Sequence, residues 1–160
     1  MTEHILPAET SRRSRPGALK AIAVGGLIAG FLDLTQACIL FGWDIPLSIA
    51  GGLLGPKAAE HGGTGTYVLG VLLHFFIALS FSAFYYAVSR RLVFLVEQPL
   101  VCGLVYGAAV EEVMNLAVLP LSALHARGPY ELRDLIQGLL VHMAVVGLPI
   151  SFSIRRFARG

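Results

Sequence analysis

The sequence predicts an all-α polytopic membrane protein with four transmembrane helices and a short interfacial or re-entrant segment between the first two. Three observations predict it. The 160 residues are 56% hydrophobic and only 14% charged, against about 25% charged in an ordinary soluble domain, and the mean hydropathy is +0.73. Four apolar runs are long enough to cross a hydrocarbon core of about 30 Å. The basic residues gather on the segments that would share one side of the membrane. The spans fall at about residues 19–42, 66–88, 99–120 and 132–154, within one domain over 17–156 that follows a polar tail, 1–16.

The tail carries Arg12, Arg13 and Arg15, and the apolar run from Gly17 to Gly42 is interrupted by Lys20 and Asp33. A cleaved signal peptide would have a shorter apolar region and a small-x-small cleavage pattern behind it. The arginine pair lacks the apolar residues of a twin-arginine signal, and Gln36 before Ala37-Cys38 spoils a lipoprotein site. The run therefore reads as an uncleaved first span, with Trp43 as an interfacial anchor at its far end. From Asp44 to Gly63 the apolar core is too short to cross. Asp44 is expected to cap a short helix entered through Pro46, and Gly51, Gly52, Gly55 and Pro56 to break it.

Tyr67 to Tyr86 is the clearest span, with tyrosines at both ends and Arg90-Arg91 behind it. The third span, Pro99 to Pro120, reaches roughly 33 Å. Pro99 suits a first helical turn, where its missing N–H is not needed, and Pro120 marks an end or a bend. Gly128-Pro129 signals a turn before the last span, in which Gly147 and Pro149 predict a kink. With the N-terminus in the cytoplasm, Arg12, Arg13, Arg15, Lys20, Arg90, Arg91, Arg155, Arg156 and Arg159 lie inside, and Lys57, Arg127 and Arg133 lie outside. That asymmetry puts both termini in the cytoplasm. Cys38 and Cys102 then sit at opposite faces, too far apart for a disulfide.

The ionisable residues inside the spans share a depth. Asp33, His74, Glu111, Glu112 and His142 all fall about 10 to 16 Å below the outer surface. An acidic side chain at mid-span costs roughly 2.5 to 3.5 kcal/mol on insertion scales, so each should face protein, water or a partner, or hold its proton. Glycines stand one turn away: Gly30 from Asp33, Gly70 from His74, Gly107 from Glu111 and Gly138 from His142. The stripes Gly26/Gly30/Asp33/Ala37 and Gly103/Gly107/Glu111/Asn115 are small-residue packing faces that run into polar groups. The faces that pack are thus the faces that carry charge, as a buried site requires. Glu112, next to Glu111, is the glutamate more apt to fall on another face.

Three chemistries fit such a layer. Imidazole titrates near pH 6.5, about where a desolvated carboxyl can be raised, so a chain of Asp33, His74, Glu111, Glu112, Asn115 and His142 could bind or relay protons or another cation. A metal would take His74, Glu111 and His142, although they come singly from separate spans. Haem between His74 and His142 ranks last, and no cofactor is predicted. The bland alternative is a scaffold whose polar groups only lock helix packing. No P-loop, dinucleotide fingerprint, HExxH, CxxC or GxSxG is present, so an enzyme is the less favoured class. A formal charge of +2 does not point to nucleic acid. The partner implied is the lipid bilayer, and a homo-oligomer or membrane partner would be needed to enclose a conduction path.

From Tyr67 onward the chain resembles the YagU-like family of small bacterial inner-membrane proteins. The features that carry the resemblance are Tyr67, His74, Phe75 and Phe81 in one span, then Gly103, Gly107, Met114, Pro120 and Leu121 in the next, and a last span with a histidine and a closing Arg155-Arg156. It covers roughly the last 90 residues. The loop between the first two spans is shorter here, and Gly138 and His142 are four apart rather than adjacent. The resemblance implies a multi-span inner-membrane protein and no residue roles.

Overall fold

The computed structural model describes residues 15–128 and 131–157. His4, Arg12, Arg13, Pro129, Tyr130 and Arg159 lie outside the described residues. Within them the chain forms helices and no strand: α1 Arg15–Phe41, α2 Ile45–Leu54, α3 Pro56–His61, α4 Thr64–Ser89, α5 Phe94–Glu97, α6 Pro99–Leu121 and α7 Leu132–Phe157. α1, α4, α6 and α7 are long and apolar enough to cross a membrane, as the sequence predicts. The helix of α1 already begins at Arg15, inside the expected tail, and α7 continues past residue 154.

α1 ends at Gly42, whose φ of +103° suits a residue without a Cβ, and the Gly42 N–H closes the helix on Cys38 O at 3.0 Å. The segment that follows departs from expectation in two ways. Asp44 occupies the N-cap position of α2 but its side chain caps nothing; its backbone carbonyl instead accepts from the Leu47 and Ser48 N–H groups. The helix also runs straight through Gly51 and Gly52 and stops only at Gly55, where φ is +96°. Gly51 is kept bare by packing rather than by a turn, because a Cβ there would stand 2.7 Å from Ala59 Cβ of α3.

Lipid supplies no hydrophobic drive between helices, so close packing by small residues has to hold the bundle. α1 lies between α4 and α7, and α7 lies against α6. At the α1/α4 contact, a Cβ on Gly26 would come within 2.9 Å of Leu79 Cα, and Gly30 seats Phe75 and Ala78. Gly25 lies among Ser82, Ser153 and the Ile150 backbone. Across α6/α7 the backbones themselves touch: Gly103 meets Gly147 O, and Gly107 meets His142 O and Met143 Cα. Two of the expected packing glycines serve other neighbours. Gly70 receives the Pro46 backbone of α2, and Gly138 receives the Glu111 carboxylate. α4 and α6 meet through side chains, where Tyr106 donates to Phe81 O at 2.7 Å and stacks edge-on against Tyr85 at 4.8 Å.

Both prolines inside spans are preceded by a π-helical stretch, Met114–Val118 before Pro120 and His142–Gly147 before Pro149. A proline removes one helix hydrogen bond and crowds the carbonyl four residues back. Widening the preceding turn relieves that crowding, as in the bond from the Leu119 N–H to Met114 O. The third span then ends at Leu121, next to the proline expected to mark its end, whereas the last span continues through Pro149 to Phe157. Cys38 and Cys102 are buried free thiols.

Candidate functional site

The layer is built from two pairs on antiparallel neighbours. On α6 and α7, His142 Nδ1 lies 2.9 Å from Glu111 Oε2 and 3.0 Å from Gly138 O. Both are acceptors, so this nitrogen carries a proton. Asn115 Nδ2 donates to the other carboxylate oxygen, Oε1, at 3.0 Å. Gly138 makes the arrangement feasible, because any Cβ at that position would overlap Oε1. The Glu111 side chain is only 10% exposed and that of His142 18%.

On α1 and α4, His74 Nε2 donates to Gly30 O at 2.9 Å, which puts the ring proton on Nε2. The same nitrogen is 3.9 Å from Asp33 Oδ2, too long for a hydrogen bond. The Asp33 carboxylate accepts no hydrogen bond among the described residues, and His142 Nε2 has no partner there either. Neither is sealed in by protein.

Both face one cavity of about 240 Å³. Asp33, His74, Glu111, Asn115 and His142 line it together, with α2 contributing Ile45 and Ile49, and Phe81 and Met114 filling the walls. Five of the six residues proposed for the layer therefore meet. Glu112 does not: it is exposed on the outside of α6. Successive helical residues point about 100° apart, so turning Glu111 inward turns its neighbour away. Among the described residues, no lysine or arginine lines the cavity. Among the described residues, no three His, Cys, Asp or Glu side chains are grouped to hold a metal ion, so His74 stands with Asp33 rather than with Glu111 and His142.

Sequence reasoning missed the apolar wall of the cavity. Residues such as Ile77 and Phe81 look like any other lipid-span residue, and only the packing of α4 reveals which ones turn inward. It also missed the hydroxyl face of α4. Ala78, Ser82, Tyr85 and Ser89 are all buried, and their 4-3-4 spacing on one helical face was a readable signal.

Helices of this length, joined by a charged internal cavity, define an integral membrane protein of the helical-bundle class. Comparison with protein-family models, curated proteins and solved structures gives no match to this chain.

Proposed function

We propose that the layer binds and exchanges a cation, most simply a proton, with Glu111 and His142 as the exchanging pair and Asp33 and His74 in support. The observation that carries this reading is the 2.9 Å contact between Glu111 Oε2 and His142 Nδ1, with the opposite ring nitrogen left open to the cavity that Asp33 faces. An imidazole held this way can take a proton at Nε2 while its Nδ1–H goes on donating to the carboxylate, and the charge so formed is neutralised in place. We place the protein in a bacterial inner membrane with both termini cytoplasmic, and the YagU-like resemblance accords with that setting. A homo-oligomer or a membrane partner completes any path through the bilayer.

A scaffold role is the competing reading, favoured by the seat that Gly138 gives the Glu111 carboxylate across the α6/α7 contact. Substitution separates the two. Glu111→Gln and His142→Asn are expected to leave the melting temperature in detergent unchanged while abolishing pH-dependent ion flux in proteoliposomes. If both variants lose stability and flux is unchanged per folded molecule, the scaffold reading stands.

A further inference from the structure

A proton needs almost no room, and this cavity offers far more. An apolar cavity of about 150 Å³ holds benzene, so 240 Å³ accommodates a ring and a short polar chain. The walls are hydrocarbon except at the layer. The Glu111 charge is already answered by His142 and Asn115. The Asp33 carboxylate accepts no hydrogen bond among the described residues: His74 spends its donor proton on Gly30 O, and His142 faces Asp33 across the cavity from beyond ion-pair distance. Among the described residues, the other ionisable groups lining the cavity are Glu111 on α6 and His142 on α7, α2 brings none, and no lysine or arginine stands there to balance the acids. An uncompensated carboxylate in an apolar setting is costly until a cation reaches it. An anion would meet two carboxylates, and a neutral apolar molecule would leave Asp33 unpaired.

We propose that the cavity takes a compact organic ammonium ion, with the charged nitrogen on Asp33 and an apolar body among Leu34, Ile77, Phe81 and Met114. This rests on reading the layer as a cation site and names the class of cation. Phe81, which lines the cavity, is an aromatic residue of the kind whose π face attracts such ions.

The test uses full-length protein in nanodiscs of uncharged phosphatidylcholine, titrated calorimetrically with 2-phenylethylammonium and, separately, with the neutral 2-phenylethanol. Saturable binding is expected for the ammonium ion alone. Asp33→Asn should weaken it by about tenfold or more, the loss of one charge-assisted hydrogen bond. Ala37→Phe, which fills the cavity but keeps the carboxylate, should abolish it, with both variants melting as the parent does. Equal binding of the alcohol, unchanged binding by either variant, or no binding to the folded parent would each overturn the proposal. Proton flux that persists in the parent without amine binding would overturn the ligand class and leave the proton reading intact.

Discussion

The half of the bundle that holds both described ends of the chain and the half beneath α2 solve the problem of polar groups in lipid in opposite ways. At the chain-end half, Tyr85, Val96, Ile150 and Ile154 are essentially fully enclosed. The buried hydroxyls there all have acceptors: Ser82 donates to Ile22 O, Ser153 to Ala21 O, Ser89 to Tyr86 O and Ser151 to Leu148 O. Tyr85 likewise donates to Leu95 O. Beneath α2 the polar groups are ionisable apart from Asn115, one of them lacks a donor, and a cavity lies between the helices. The first half holds the bundle together, and the second tolerates a carboxylate without a hydrogen bond and an open space that packing alone would not select.

That contrast is open to attack at three strengths. The largest effect is expected from Gly107→Leu. Its side chain would be driven into the His142 carbonyl and the Met143 backbone, and overpacking of a rigid contact costs roughly 3 kcal/mol. Loss of the monodisperse peak in detergent size exclusion would report it. Tyr106→Phe is milder. It removes the hydroxyl that ties α6 to Phe81 O, and hydrogen bonds between membrane helices average about 0.6 kcal/mol, reaching about 1.7. A small, clear drop in melting temperature is expected, while a drop as large as that of Gly107→Leu would show that the α4/α6 contact matters more than the glycine seams. The smallest effect should come from Asp33→Asn, and its sign is what matters. Removing an unanswered charge should leave the melting temperature unchanged or slightly higher. A pronounced fall would mean that Asp33 stabilises the fold and that the two halves are alike.

The spans were legible because hydropathy and length alone set them, and the common depth of the ionisable residues was legible because antiparallel helices of similar length bring matched positions together. Those grounds put Glu111 and His142 in one layer, and the contact between them came from the packing of α6 on α7. Other features needed the packing. Whether Glu111 or Glu112 faces inward depends on helix rotation about a contact, which Gly107 and Gly138 decide through the backbone and side chain they admit. Gly51 sits inside α2 because Ala59 lies against it, a contact that sequence does not show. The π-helical turns ahead of Pro120 and Pro149 are responses of the backbone to proline, and a proline reads the same in sequence whether the helix stops, bends or widens.

The bond from Ser153 to Ala21 O joins residues 132 positions apart. During biosynthesis at about 5–20 residues per second, α1 must wait on the order of ten seconds before α7 leaves the ribosome. Through that interval Gly25 lacks its Ser153 and Ile150 neighbours, and the finished bundle closes only when its most distant member arrives.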